Sequence, residues 1–497
     1  MKIVRNKIGI IIILTIILSA ATPRASISNT TSFERTDNGV SADAGEVMGV
    51  PYVWQEINGL CHWATLSMAL QSIGVQLDLA EVCAISGIGF AAGYIRYEDI
   101  WNFLAGLGYR QQSTTQAIMA ELLGFEVEFY LDTDSTDLGP SMAIEMTSQN
   151  VNWTEIDGWD DAIQILKNGI DRGFPVEIYV NLQNLPASDY DIIRDLGLNA
   201  TTPTHSILIT GYNDTSGTAQ IIDPAIGLFD NPASFPDDGS WFYNISYTSL
   251  NQAWLGLYGI SIVKPGSEAP EDLTPSLANH ILDRLRGDRT SYAPPGSADA
   301  FFWNFGSNAF RAMAADLTDT GLSSFMDQFD EYDLHTKSLI LQSIGFELET
   351  RLTQQCESYR AAIDALPGVL TDLDLQDFVS EAREALEHFE LFADTSTVNT
   401  PFYAAGVKLA TKTFGDIAHQ YEYVFDGDLS SAVSTHEEDL ADIQTHLAAI
   451  ADVWDAAADA LERALHRQTG PPILLLSTSI VGILVLVIVI VRRRTSI

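Results

Sequence analysis

A break in texture near Gly266 is the feature that most constrains how this chain folds. Before it, helical stretches mix with short alternating runs and turn residues. After it, almost nothing reads as strand. Leu60 to Ile73 has the apolar faces of a helix in Leu66, Met68, Ala69, Leu70 and Ile73, and Gly74 sits where a left-handed C-cap falls. Asp99 to Ala105 reads as a second short helix. Phe125 to Leu131 alternates apolar and polar residues with the period of a half-buried strand. Asp157 is placed to cap a helix running to Ile170, after which Gly173, Phe174 and Pro175 introduce a strand from Val176 to Leu182. Ser206–Thr210, Gln220–Ile222 and Gly259–Val263 are further strands. Strands arriving after an early helix predict an α+β domain over residues 44–265.

From residue 266 to 469 the spacing predicts an all-α domain, a helical bundle or stalk, with helices over Pro275–Leu285, Ala298–Leu317, Leu334–Leu366, Leu375–Phe392, Tyr403–Tyr423 and Leu429–His466. In the last of these, Leu440, Ile443, Leu447, Ile450, Trp454, Ala457 and Leu461 recur at three- and four-residue intervals, one apolar stripe on an acidic helix.

Both termini look like targeting segments. Lys2, Arg5 and Lys7, an apolar run from Ile8 to Leu18, and small residues at Ser19, Ala20 and Ala21 have the layout of a secretory signal peptide over 1–25, with an uncleaved anchor as the alternative. Ile473 to Val491 is apolar and is followed by Arg492, Arg493 and Arg494. At about 1.5 Å per residue it crosses a hydrocarbon core roughly 30 Å thick. The expected topology is a transmembrane helix over 472–491, a cytoplasmic tail over 492–497, and a single-pass cell-membrane protein whose ectodomain is extracytoplasmic. With 26 basic against 66 acidic residues and a net charge of −40, the surface repels nucleic acid.

Three cysteines in such a chain do not make a disulfide framework. Cys83 reads as a buried thiol, with pairing to Cys61 or Cys356 left open. There is no HExxH or CxxC, so neither a metal nor another cofactor is expected.

Cys61 carries the chemistry. A thiol at the start of a helix meets unpaired N–H groups and the positive end of the helix dipole, which favour the thiolate. Cys61 opens the first helix after the turn-forming Asn58 and Gly59. Gln55 lies a few residues upstream, with a side-chain amide able to donate to an oxyanion. His205 stands at the start of the Ser206–Thr210 strand as the base, and Asp223, at the end of the next strand before Pro224, is placed to orient its ring. Asn213 and Asp214 are rival orienting groups, although their turn position favours turn chemistry.

Taken together, Pro51-Tyr52, Gln55, Cys61, Gly173-Phe174-Pro175-Val176, His205, Gly211-Tyr212, Asp214, Asp223-Pro224 and Tyr247 to Trp254 resemble the C39-like branch of papain-fold cysteine peptidases. The interval from Cys61 to His205 falls in the papain-like span of about 130–150 residues. Leu79-Ala80-Glu81, Ser86-Gly87-Ile88-Gly89-Phe90, Gly306-Ser307-Asn308-Ala309-Phe310-Arg311 and Ala314-Ala315-Asp316-Leu317 are similar to butirosin biosynthesis protein H and its relatives, which implies acyl transfer to an amine in place of water.

The expectation is therefore a papain-like domain that works as a membrane-anchored thiol acyl-transfer enzyme, a cysteine peptidase or amidase with a peptide or acyl substrate. The alternatives are the acyltransferase and an inactive binding or adhesion ectodomain. One departure stands out: His62 follows the nucleophile where the C39-like pattern usually has Gly or Ala.

Overall fold

The computed structural model describes residues 43–56, 59–97, 100–105, 115–134, 151–191, 194, 205–230, 233–254, 258–266, 272–287, 289–292, 301–392 and 408–469. The first half contributes β1 (Ala44–Glu46), α1 (Cys61–Ser72), α2 (Leu79–Ile85), β2 (Ala92–Tyr97), β3 (Ile100–Ala105), α3 (Thr115–Leu123), β4 (Phe125–Leu131), β5 (Trp153–Glu155), α4 (Gly158–Asp171), β6 (Val176–Val180), β7 (His205–Asn213), β8 (Thr218–Ile222), β9 (Phe242–Ser246), α5 (Tyr247–Trp254) and β10 (Ile260–Pro265). The second half contributes α6 (Thr274–Arg286), β11 (Arg289–Tyr292), β12 (Phe301–Phe305), α7 (Ser307–Asp316), α8 (Asp319–Met326), α9 (Leu334–Val369), α10 (Gln376–Phe389), α11 (Leu409–Tyr423), α12 (Leu429–Ser434) and α13 (Glu437–Thr469).

The main sheet runs β5-β4-β10-β6-β7-β8-β9, with β1 also paired to β7. Strand β7 lies between β6 and β8 and is buried from His205 to Tyr212. Both of its faces are covered, so its apolar residues run on without polar alternation. Because successive side chains leave opposite faces, Ile207 and Ile209 enter the core under α4 and α5, whereas Leu208 enters the core shared with α1. Helix α1 is apolar around most of its circumference, with Ala64, Leu66, Met68 and Leu70 fully buried. It is thereby fixed against β7 with its first residue at the sheet.

The second half is not all helix. Strands β11 and β12 join β2 and β3 in one sheet of order β11-β12-β2-β3, built from both halves. Two expected helices give way here. The segment read as a helix from Asp99 is strand β3, paired along its length with β2. The stretch read as a helix from Ala298 to Leu317 divides into β12 and α7. The aromatic run Phe301-Phe302-Trp303 favours a strand. Gly306, at φ +57° and with its N–H bonded to the Ala92 carbonyl at 2.8 Å, separates it from α7. The expected final helix is likewise two, α12 and α13, although every residue of its stripe from Leu440 to Leu461 is buried.

One core unites α1, α2 and the helices of the second half, so the change of texture at residue 266 is not a change of core. At this junction the Gln355 side chain on α9 donates to the Gly89 carbonyl at 2.8 Å. A Cβ on Gly89 would lie 2.4 Å from the Ala362 Cβ and 2.6 Å from the Ser358 carbonyl oxygen. Gly89→Val is therefore expected to destabilise the whole chain by about 1–3 kcal/mol. The readout is the urea midpoint, and an unchanged midpoint would contradict so close a junction.

The expected membrane-spanning helix needs correction. Among the described residues no helix is long and apolar enough to cross a membrane. The segments read as signal peptide (1–25), transmembrane helix (472–491) and tail (492–497) lie outside the described residues. The fold class is accordingly an α+β domain followed by a largely helical region, and the single-pass cell-membrane placement is not carried further.

Candidate active site

Cys61 is the first residue of α1, partly exposed, with Leu60 at the N-cap and no side-chain cap on the first turn. The first N–H groups of the helix and the positive end of its dipole lie at the thiol. Just upstream, the Gln55 N–H donates to the Pro224 carbonyl at 3.0 Å and the Trp54 Nε1–H to the Ile226 carbonyl at 3.0 Å. These bonds pin the segment carrying Gln55, a residue only 2% exposed, against the chain that follows Asp223. Asn58 lies outside the described residues, while Gly59 adopts φ +94° just before the helix.

His205 is the first residue of β7 and sits opposite Val180 of β6. Asp223 follows the last residue of β8, which pairs antiparallel with β7 so that Ile222 lies opposite Leu208. This register brings the two side chains together, with His205 Nε2 2.8 Å from Asp223 Oδ1. Asp223 is fully buried and both its oxygens are occupied. Oδ1 also accepts from the Ala225 N–H at 3.0 Å, and Oδ2 accepts from the hydroxyls of Tyr190 and Tyr243, each at 2.8 Å. The Asp223 N–H bonds to the Trp241 carbonyl, and the Trp241 ring stacks on Tyr52 with centroids 4.4 Å apart.

With Nε2 engaged by Asp223, the His205 hydrogen bond to Cys61 falls to Nδ1. Burial alone pushes the Cys61 thiol up, but the hydrogen bond and charge of His205, the Ser206 N–H and the charge of His62 together bring it below the ordinary thiol value. For His205 burial acts downward, and the charge and hydrogen bond of Asp223, with Cys61 on the other side, lift it to about 10. Burial pushes the Asp223 carboxyl up, yet His205 and the N–H and O–H donors hold it below the usual carboxylate range. The arrangement thus favours a thiolate–imidazolium pair resting on an ionised carboxylate.

The rival orienting groups are committed elsewhere. Asn213 Oδ1 accepts from the Ser216 N–H at 3.0 Å, as the turn position suggests. Asp214 pairs with Lys167 at 2.6 Å and accepts from the Tyr247 hydroxyl at 2.7 Å. Cys83 and Cys356 are buried free thiols, so the pairing left open by the sequence does not occur. Among the described residues no group of three or more His, Cys, Asp or Glu side chains is arranged to hold a metal ion.

Sequence reasoning missed Tyr190, Tyr243 and Glu177. The tyrosines close over Asp223 from the 3-10 turn Ser188–Tyr190 and from β9. Glu177 belongs to a second cluster, in which His62 Nδ1 lies 2.6 Å from its Oε1. A signal for it was present: a glutamate inside the otherwise apolar run Val176-Glu177-Ile178 of a central strand.

A helix-borne thiol against a central sheet that presents a histidine and a carboxylate is an arrangement suited to papain-like thiol chemistry. Residues 47–231 match the model of the Peptidase_C39 like family, so this part of the chain is similar to the C39-like branch of papain-like cysteine peptidases. The comparison with curated proteins yields no match.

Proposed function

We propose that the protein is a cysteine peptidase or amidase in which Cys61 is the nucleophile, His205 the general base and acid, Asp223 the group that orients His205, and Gln55 an oxyanion donor. The observation that carries this reading is the continuous chain from buried Asp223 Oδ1 through buried His205, 2.8 Å away, to the partly exposed Cys61 thiol at a helix start.

The Cys61 thiolate attacks the carbonyl carbon of an amide, and the carbonyl oxygen becomes an oxyanion. The Gln55 side-chain amide and the free N–H groups of the first turn of α1 supply the donors. Imidazolium His205 passes its proton to the departing amine, leaving an acyl thioester on Cys61. Water then attacks the thioester while giving a proton to His205, and an acid is released with the thiolate restored. Throughout, Asp223 keeps the ring in one orientation and stabilises its cationic form.

Amine in place of water would give acyl transfer through the same thioester. Incubating the full chain with a peptide library at neutral pH, with and without an added primary amine, and identifying products by mass spectrometry tests both readings. The expected result is new carboxyl termini from the wild-type protein and, in Cys61→Ala, a loss of product of roughly 10⁴-fold or more. Amide products formed only when amine is present would favour the branch resembling butirosin biosynthesis protein H. Absence of any Cys61-dependent product would leave the site a binding scaffold.

A further inference from the structure

His62 occupies an unfavourable place for a cation. It lies in the first turn of α1, where the helix dipole opposes positive charge. Its neighbourhood is nonetheless built to hold one. Glu177, on β6 and 2% exposed, directs Oε1 to His62 Nδ1 at 2.6 Å. The same oxygen accepts from the Thr65 hydroxyl of α1 at 2.7 Å and from the Ser206 hydroxyl of β7. Oε2 makes no hydrogen bond among the described residues. A carboxylate so buried is stable only beside an opposite charge, and the cationic partner facing it is His62. Ser206 ties this cluster to the reaction centre, because its main-chain N–H bonds to Cys61 while its hydroxyl bonds to Glu177.

We propose that His62 and Glu177 form a second imidazolium–carboxylate pair, standing beside His205 and Asp223, whose positive member holds Cys61 as a thiolate. This rests on the reading of Cys61 as the nucleophile and deepens it. His62 and Glu177 are positioning residues: they act through the charge state of the sulfur and need not touch the substrate.

The other groups that face His62 are compatible with that role. The Tyr179 hydroxyl lies 3.5 Å from His62 Nδ1. Its ionisation is pushed well up by burial and then by the charges of Glu177 and Cys61, so it stays neutral. The Trp63 ring meets the imidazole edge-on, with centroids 4.7 Å apart. Burial pulls His62 down, but Glu177 lifts it above the ordinary histidine value, and His62 in turn helps hold Glu177 ionised against its own burial.

The experiment is the pH dependence of Cys61 alkylation by iodoacetamide, read by peptide mapping of the full chain, with thermal unfolding recorded alongside. His62→Gln removes the cation and is expected to move the alkylation midpoint upward by about one to two pH units. Glu177→Gln, which lets burial discharge His62, is expected to shift it in the same direction, and the double variant is expected to shift no further than Glu177→Gln alone. His62→Lys, which restores a cation at this partly exposed position, is expected to keep the midpoint near the wild-type value. A merely structural pair would change stability without moving the midpoint, and that result for folded His62→Gln overturns the proposal. Should Glu177→Gln fail to fold, the comparison of His62→Gln with His62→Lys decides alone. A wild-type Cys61 no more reactive than Cys83 would instead sink the nucleophile reading and this proposal with it, an outcome distinguishable from a reactive Cys61 indifferent to His62.

Discussion

Asp223→Ala is expected to destabilise the protein by about 3–5 kcal/mol, because it removes one partner of a buried ion pair and leaves the other uncompensated. The Tyr190 and Tyr243 hydroxyls and the Ala225 N–H lose their acceptor as well, and each buried donor left without one adds to the loss. Asp223→Asn keeps the volume but removes the charge that holds His205 as a cation. Because papain-like sites also work with an amide oxygen as the group that orients the histidine, Asp223→Asn is expected to lower turnover far less than Asp223→Ala.

The stability effect should depend on pH in a defined way. His205, raised to about 10, contributes stability that is fully present below its ordinary pKa near 6.5 and is lost as pH rises through about 10. Asp223, held below its ordinary value, contributes stability present above pH of about 4 and lost as pH falls through its lowered folded value. The difference in urea midpoint between wild type and Asp223→Ala is therefore expected to be largest between about pH 4 and 6.5, to decline steadily as pH rises from about 6.5 through 10, and to shrink as pH falls below about 4. A difference that grows above pH 10 would contradict the ion pair.

Cys61, His205 and Asp223 could be found in the sequence because each sits at the end of an element, where local signals are strongest. A turn and then an apolar helix mark Cys61, a strand start marks His205, and a strand end before proline marks Asp223. Their approach follows from β7 and β8 being adjacent, antiparallel and joined by a turn. What the sequence hid depends on register between distant strands. Tyr190 and Tyr243 reach Asp223 from a loop and an outer strand, and nothing local distinguishes them from other tyrosines.

His62 stood out as a departure, but its partner could be named only once β6 was known to lie beside β7 with α1 packed over them. The antiparallel sheet β11-β12-β2-β3 was hidden for a similar reason. Its strands are short, come from both halves, and include one whose local composition suits a helix. The runs around Gly89, Gly306 and Asp316 do local packing work at the junction. The Gly89 carbonyl accepts from Gln355, the Gly306 N–H donates to Ala92, and Asp316 accepts from Tyr94 and Arg96 at 2.8 and 3.0 Å.

The central claim is that His205 selectively activates Cys61, and the three free thiols provide an internal comparison. Cys83 is pushed up to about 12 by burial and then by Asp78 and Glu56, and Cys356 to about 12 by burial and the charge of Glu357, which Arg360 only partly offsets. At pH 7 a thiol of that pKa is thiolate in roughly one molecule in 10⁵, whereas an activated thiol is largely ionised. The most direct measurement is brief iodoacetamide treatment of the folded chain at pH 7, followed by quantification of label at each cysteine. Cys61 is predicted to react at least roughly 10³-fold faster than Cys83 or Cys356, and His205→Ala to abolish most of that advantage. Equal rates at the three cysteines, or a Cys61 rate unchanged in His205→Ala, would contradict the account.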